Sequence, residues 1–456
     1  MSRQGKKARG SEGTAQLEQI HWNAAGIDVG SEEHWVAVPP DRGTPPVRKF
    51  GAFTVDLEAL ADWLRECRVD TVVMESTGVY WVPLFELLEA RGFEVLLVDP
   101  RKLKSVPGRK TDALDCQWLQ QLHTFGLLSG AFRPRDAVCA LRAYVRQRSM
   151  LVESAARHVQ HMQKALAQMN VKLEKALSDI TGKTGLAILD AILAGERDPR
   201  VLARLRDERC RHDEETIAKA LRGNWRDEHL FALRQARRLY AVYGEQIAEC
   251  DRQIEAHLAS FPDQSDGTPL PADGSRRTHA SAPSFDARTA VYRAAGVDLT
   301  RIDGIQGHTA LKLLSEIGTD MSRWKTHKHF ASWLGLCPNN RVSGGKRLSS
   351  RVLPSANRAA AALRLAAASL HRSQTALGAY LRRMKARLGG PAAVTATAHK
   401  LARLVYEVLK HGWTYVDKGV QWYETQYRDR ILTSLSRRAK ELGFQLVPSA
   451  PNSDCS

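Results

Sequence analysis

The chain lacks the features that define several large classes of protein. Its seven cysteines are scattered, with no Cys-x-x-Cys pair, and this disfavours both a zinc site and a disulfide framework. Residues 1–13 are polar and basic, without the apolar core of a signal peptide. The Ala-rich stretch 359–370 is interrupted by Arg364, which disfavours a membrane span. We therefore expect a soluble protein of a reducing cytoplasm, with no membrane partner.

Acidic residues are also in the minority. Lys and Arg number 67 against 50 Asp and Glu, so the formal net charge is +17 and the sequence pI is about 9.7. Such an excess attracts polyanions in a salt-dependent way, and a small acidic substrate would not need it. With 456 residues, 43% of them hydrophobic, the chain can bury more than one core. The composition favours a nucleic-acid partner and two or three domains.

Four acidic residues stand where an RNase H-type nuclease places its metal-binding carboxylates. Asp28 lies inside the apolar run 25–29, a predicted buried strand in which a bare carboxylate is costly unless a cation meets it. Glu75 ends a second such run, and ligands gather at strand ends in open α/β sheets. Asp112 and Asp115 open a predicted helix, and their spacing places both on one face of its first turn.

The order of these acids indicates phosphodiester chemistry, although single residues have simpler interpretations. Asp112 and Asp115 alone would be typical helix N-terminal acids, which the helix dipole favours. Asp99 is a competing ligand, but Pro100 follows it and favours a turn. Two strand acids followed by a helix pair, in the predicted order β-β-α-β-α-β-α, form a joint pattern that predicts a metal site. Hard oxygen ligands of this kind suit Mg²⁺ or Mn²⁺.

The hydrophobic pattern divides the chain into several segments. Short β-branched runs alternate with helical ones over 24–131, which predicts an α/β domain. In 136–259 no strand pattern survives, and apolar residues at three-or-four spacing predict a long, coiled-coil-like helical arm. Residues 261–288 are rich in Pro, Gly, Ser and Asp and are predicted to form a flexible linker. A mostly α-helical domain over 296–425 and a basic tail over 426–456 complete the chain.

Three further segments have features of nucleic-acid contacts. The basic segment 101–110 precedes the acidic helix, and a solvated loop is its plain alternative. The turn around Gly304 and Gly307 resembles a helix-hairpin-helix, whose backbone amides would approach a phosphate, although such turns are also common as plain structure. The loop 338–347 is rich in glycine and cations, and alone it would be a flexible basic loop. The predicted nucleic-acid contacts are Lys102, Lys104, Arg109, Lys110, Gly304, Gly307, Arg341, Lys346 and Arg347.

Together these motifs resemble the DEDD-type insertion-sequence transposases, the one-ten family and most closely its eleven-eleven subgroup. The resemblance covers nearly the whole chain and is carried by residues 26–29, 75–81, 108–115, 303–311 and 334–346. It implies an RNase H-like, RuvC-like N-terminal domain and a C-terminal transposase domain with a helix-hairpin-helix and a catalytic serine. One departure is Gly30-Ser31-Glu32, where many relatives have a serine followed by lysine.

The resemblance implies a site-specific DNA recombinase that acts in transposition. In that family's mechanism Asp28, Glu75, Asp112 and Asp115 would bind Mg²⁺, with Mn²⁺ as a substitute. Ser343 would attack a DNA phosphate and form a transient phosphoserine link. The implied partners are donor and target DNA, a noncoding bridge RNA and further copies of the chain, as a dimer or tetramer, at the bacterial nucleoid.

Other functions and other nucleophiles stay open at this point. A stand-alone structure-specific nuclease, of the Holliday-junction type, would need the acids but not Ser343. A noncatalytic nucleic-acid-binding protein would need neither, and an exonuclease of the DEDD class would degrade ends rather than join them. Ser349, Ser350 and Ser355 are alternative nucleophiles in the same region.

Overall fold

The computed structural model of the chain describes residues 18–99, 112–270, 281–352, 357–412 and 418–447. It contains two compact units, Met1–Arg133 and Pro134–Ser456. The predicted basic segment 101–110, Ser355 and the middle of the predicted linker lie outside the described residues. Within the described ranges, no helix combines the length and the apolarity that a bilayer crossing requires.

The first unit is a mixed α/β domain. Its strands are Ala24–Val29 (β1), Glu33–Ala37 (β2), Val47–Gly51 (β3), Thr71–Glu75 (β4) and Glu94–Val98 (β5). Its helices are Thr54–Glu66 (α1), Trp81–Ala90 (α2) and Asp112–Thr124 (α3). The described strands form one sheet in the order β3-β2-β1-β4-β5. The pairs β1-β2 and β2-β3 are antiparallel, whereas β4 and β5 extend the other side of β1 in parallel.

Helices cover both faces of this sheet. Successive side chains of β1 point to opposite faces, so each contacts the helices on its own side. Ile27 is buried in a core shared with α1 and α2. Gly26 and Asp28 point to the opposite face, where α3 packs. The approach of α3 is close at Gly26, because an added Cβ would lie 2.3 Å from the Cys116 carbonyl oxygen and 2.3 Å from the Gln120 amide nitrogen. A side chain at Gly26 would therefore push α3 away from β1.

The sequence analysis missed β3. This strand lies at the edge of the sheet, where it pairs only with β2, and its central residues Arg48 and Lys49 are exposed. The Arg48 guanidinium lies over the rings of Phe50 and Trp63, at 5.6 and 5.2 Å from their centroids. A half-exposed edge strand buries few aliphatic side chains, so the apolar run that reveals a central strand is absent.

The second unit begins with the long helices that were predicted for 136–259. They are Asp136–Gln168 (α4) and Asp227–Ala259 (α9), with Leu173–Ala176 (α5), Lys183–Ala194 (α6), Pro199–Ala203 (α7) and Glu214–Ala220 (α8) between them. The two long helices are antiparallel, since Tyr144 contacts His257 while His158 stacks on Tyr243. The short helices share a separate hydrophobic core with the adjoining ends of α4 and α9. Supercoiling of the pair stays a prediction.

The described end of the predicted linker is packed against these helices. Arg148 and Asp251 form a buried ion pair between α4 and α9. Arg148 also donates to the Ser281 carbonyl oxygen at 3.1 Å, and the Ser284 amide donates to the Asp251 carboxylate at 2.9 Å. Hydrogen bonds to a buried charged pair can thus order a segment that is poor in aliphatic residues.

The rest of the second unit is mostly α-helical, as predicted. Its helices are Ala287–Ala295 (α10), Gly307–Ile317 (α11), His327–Trp333 (α12), Arg358–Ser369 (α13), Ala376–Leu388 (α14), Gly390–His411 (α15) and Gly419–Glu441 (α16). A small antiparallel hairpin contains Arg341–Ser343 (β6) and Lys346–Ser349 (β7). The predicted boundary at 425 falls inside α16, so the first part of the predicted basic tail is helical.

Candidate active site

Three of the four predicted acids meet between the sheet and α3. One carboxylate oxygen each from Asp28, Asp112 and Asp115 lies within 4.8 Å of the other two. Asp28 comes from β1, and the other two residues come from the first turn of α3. Their predicted position on one face of that turn is confirmed. Oxygen atoms grouped in this way fit the coordination shell of a single cation.

Glu75 lies beside Asp28 but outside this group of three. The parallel strands β1 and β4 pair Ile27 with Met74, so Asp28 and Glu75 follow as neighbours on the same face of the sheet. The Glu75 carboxylate accepts a hydrogen bond from the Thr77 hydroxyl at 2.9 Å. This bond holds the side chain at the end of β4, where its charge reaches Asp28.

The electrostatics of the group favour a bound cation. Burial, together with the negative charges of Asp112, Glu75 and Asp115, raises the pKa of Asp28 to about 6. A cation would remove this penalty. The neighbouring Cys116 thiol has a pKa raised to about 12 by burial and by Asp28, so it stays protonated at neutral pH. The available donors are therefore carboxylate oxygens, which suit a hard divalent ion.

Three exposed apolar residues that the sequence analysis did not consider lie close to the acids in the chain. Leu114, between the two acids of α3, has 50% of its surface exposed. Val79 and Tyr80, in the loop after Glu75, are 72% and 48% exposed. Asp99, the competing acid, is not a member of the three-carboxylate group.

Ser343 lies at the tip of the exposed hairpin in the second unit. It pairs with Lys346 across a two-residue turn made of Gly344 and Gly345, whose φ angles are +54° and +75°. Two successive positive φ angles define a type I′ turn, for which glycine is well suited. The conformation of the turn is by itself a sufficient reason for both glycines. Apart from the adjoining residues of the chain, no described atom lies within 4 Å of a Cβ built at either glycine, so the tip is open.

The alternative serines differ from this one in position. Ser349 pairs with Arg341 at the opposite end of the hairpin, and its hydroxyl accepts a hydrogen bond from the Arg351 amide at 3.2 Å. Ser350 follows the hairpin and is exposed. The hairpin tip therefore presents one serine. The acids belong to the other unit, so the meeting of the two half-sites stays a prediction.

The glycines of the predicted helix-hairpin-helix face other parts of the backbone. An added Cβ at Gly304, whose φ is +86°, would lie 2.7 Å from the Ala366 carbonyl oxygen in α13. At Gly307, the first residue of α11, it would lie 3.1 Å from the Arg288 amide nitrogen in α10. Close packing against α13 is a sufficient reason for Gly304, and close packing against α10 is a sufficient reason for Gly307. Their contact with a phosphate stays a prediction.

The basic residues of the second unit follow a pattern that the sequence analysis overlooked. Between Asp320 and Glu407 the chain has no acidic residue, although Lys and Arg recur throughout. Arg341 and Lys346, on the hairpin, have exposed side chains. The side chain of Arg347 and the predicted contacts Lys102, Lys104, Arg109 and Lys110 lie outside the described residues. The long acid-free stretch is typical of a surface that binds a polyanion.

Two family models match the chain. Residues 25–171 match a transposase model that is named for the DEDD transposases of the IS110 group. Residues 298–382 match a model described as the transposase IS116/IS110/IS902 family. No curated protein sequence matches the chain. The first matched region contains the four acids, the second contains Ser343, and together they make up about half of the chain. By these two matches, the chain belongs to the IS110 family of transposases.

Proposed function

We propose that this transposase is a recombinase that cleaves donor and target DNA and rejoins them by metal-assisted phosphoryl transfer. The observation that carries the proposal is the group of Asp28, Asp112 and Asp115 within the region that matches a DEDD transposase. The sheet order β3-β2-β1-β4-β5, with antiparallel pairing confined to the first three strands, supports an RNase H-like and RuvC-like domain. Acids on strand ends and on a following helix suit such a domain.

Asp28, Asp112 and Asp115 would hold Mg²⁺ or Mn²⁺, with Glu75 as the fourth carboxylate. A bound divalent ion supplies Lewis-acid stabilisation of the charge on the reacting phosphate. The side chains themselves concentrate negative charge at one point, and their two elements fix its position. Gly26 sets the distance between these elements, because it lets the α3 backbone approach β1.

Ser343 is the proposed nucleophile. Its Oγ forms a bond to phosphorus while the bond from phosphorus to one bridging oxygen breaks. The serine proton passes to solvent, and the departing strand takes up a proton and leaves as a hydroxyl. The phosphodiester is kept as a serine–DNA ester, so a hydroxyl of the incoming strand can reverse the step without a nucleotide cofactor. Arg341 and Lys346 are exposed on the same hairpin and would stabilise the charge of the pentavalent phosphate.

Assembly would bring the serine and the acids together. The hairpin exposes Val342 and Leu348, at 61% and 70%, and an isolated hairpin with exposed apolar side chains is only marginally stable. We expect both residues to be covered when the recombinase assembles as a dimer or tetramer on four DNA ends. The net charge of +17 supports DNA and a noncoding bridge RNA as partners.

The first experiment tests the acids. Asp28→Asn and Asp115→Asn keep the size of the side chain and remove its charge, so cleavage of a plasmid that carries the element's ends should be lost. Binding to the same DNA should survive. Asp41→Asn is the matched control, because Asp41 is an exposed acid of the same unit with a side chain 79% accessible. Cleavage at the parental rate by either variant would exclude the proposed metal site, and a parent without activity would favour a noncatalytic binding protein.

The second experiment tests the serine. A trapped reaction should give a protein–DNA adduct that peptide mass spectrometry maps to Ser343, and Ser343→Ala should give none. Ser349→Ala should still form the adduct. Full strand exchange by Ser343→Ala would favour a nuclease in which water or a DNA hydroxyl attacks. Progressive loss of DNA ends, instead of joined products, would favour an exonuclease.

A further inference from the structure

One lysine of the second unit is surrounded by aromatic rings and other cations. Lys400, in α15, is half-buried. Its Nζ lies 4.6 Å from the ring centroid of Tyr380 in α14 and 5.6 Å from that of Tyr423 in α16. The two tyrosine rings meet edge to face, with centroids 6.2 Å apart. Three helices therefore enclose the lysine side chain.

Arg403 and Arg430 bring two more positive charges to the same place. Both side chains are exposed, Arg403 on α15 and Arg430 on α16. Burial lowers the pKa of Lys400, and the charges of Arg430 and Arg403 lower it further. Glu424, an acid on α16, is already paired with Arg383. Within the described ranges, no carboxylate lies at ion-pair distance from Lys400.

This arrangement is unfavourable without an anion. A half-buried ammonium has lost part of its hydration, and two like charges beside it add to the cost. Cation–π contacts with Tyr380 and Tyr423 offset only part of that cost. Lys400 itself lies in the acid-free stretch between Asp320 and Glu407, so its neighbours along the chain include no acid.

The rings around the cluster indicate what kind of anion fits. Trp422, one residue before Tyr423 on α16, is 43% exposed, and the Lys418 ammonium lies 4.8 Å from its ring centroid. An exposed indole beside a lysine is a ring on which an unpaired base can stack while its phosphate meets nearby positive charges. A compact ammonium flanked by guanidinium groups suits a phosphodiester.

We propose that Lys400, Arg403 and Arg430 bind a backbone phosphate of a single nucleic-acid strand where α14, α15 and α16 meet. The strand is DNA or RNA, since the phosphate chemistry is common to both. The site goes beyond the proposed function, because it requires neither the carboxylates nor Ser343. It also assigns a role to α16, which supplies Tyr423 and Arg430 and so completes the site.

The test compares Lys400→Gln with Lys440→Gln in the full-length protein. Lys440 is an exposed lysine near the end of α16, so the control removes the same charge away from the cluster. The probes are a short fluorescein-labelled single-stranded DNA and an RNA of the same sequence, and fluorescence anisotropy gives Kd between about 50 and 200 mM NaCl. Lys400→Gln should weaken binding about tenfold at low salt. Lys440→Gln should have little effect.

The salt dependence separates a phosphate contact from a structural role. One phosphate contact to a single strand contributes about 0.7 to the slope of log K against log salt, so the defect of Lys400→Gln should shrink about 2.6-fold over that range. Arg430→Gln, whose side chain is exposed, should give the same change of slope and tests the site even if Lys400→Gln unfolds. If the variants weaken binding of one probe and not of the other, the affected probe shows whether the bound strand is DNA or RNA. Variants at both positions that retain the Kd and slope of Lys440→Gln would overturn the proposal.

Discussion

The raised pKa of Asp28 leads to a prediction about protons. In the metal-free protein this carboxyl group has a pKa of about 6, against an ordinary value of 3.8. Near pH 6 about half of the Asp28 side chains should be protonated, and near pH 8 only about one in a hundred. A divalent ion binds the carboxylate form, so its binding should release about half a proton near pH 6 and almost none near pH 8.

The same shift has a consequence for stability. A shift of about two pKa units corresponds to about 3 kcal/mol between the two protonation states. Because the pKa of the folded state lies above that of the unfolded state, this contribution to the free energy of unfolding is fully present below about pH 3.8 and is lost as the pH rises through about 6. Asp28→Asn has no carboxylate to ionise. Without metal it should be more stable than the parent near pH 8, by up to about 3 kcal/mol, and similar to it at acidic pH.

Isothermal titration of Mn²⁺ in two buffers with different heats of ionisation measures the released protons. Thermal unfolding without metal at both pH values gives the stability comparison. Asp41→Asn serves as the control in both assays and should behave like the parent. Equal proton release near pH 6 and pH 8, or undiminished release by Asp28→Asn, would refute the assignment of the shift to Asp28.

Further predictions concern the elements around the two half-sites. Gly26→Ala should displace α3 from β1 and slow cleavage about 100-fold, which a time course at saturating Mn²⁺ would show. The control Gly244→Ala adds a Cβ with open space around it and should cleave at the parental rate. Gly344→Asn should keep the type I′ turn and the serine adduct, whereas Gly344→Val should lose the adduct, and equal adduct yields would contradict the role of the turn. Neutralising Lys102, Lys104, Arg109 and Lys110 together should weaken DNA binding and flatten its salt dependence, and an unchanged slope would place them on the solvated surface.

The sequence predicted the central strands and the long helices well because their signals are local. β4 was predicted with the observed bounds, since a strand covered on both faces is a continuous apolar run. α4 begins at Asp136 and α9 ends at Ala259, the limits that the helical periodicity indicated. The edge strand β3 and the helix α16 were missed, because both are mostly exposed and bury few residues. In α16, Tyr423 alone is buried among the described residues.

The candidate site was predictable in its chemistry but not in its full arrangement. The three-residue spacing predicted that Asp112 and Asp115 share one face of a helix, and the RNase H-type order of the acids predicted that they meet Asp28. The contact of Gly26 with α3 was not predictable, because it depends on how two distant segments pack. Ser343 and the acids belong to different units, and no local pattern in the sequence encodes how two units meet. The charge cluster at Lys400 was not predictable either, because its residues come from three separate helices.

The antiparallel arrangement of α4 and α9 allows the length of the pair to change while both of its chain ends stay at the same place. Each helix has 33 residues and so extends about 50 Å. The chain leaves one end of the pair and returns to it, with the small core of α5 to α8 at the far end. Removing two matched heptads from each helix would shorten the pair by about 21 Å and leave the chain's entry and exit points at the near end unchanged. The length of the helical pair can therefore change without moving the points at which the chain enters and leaves it.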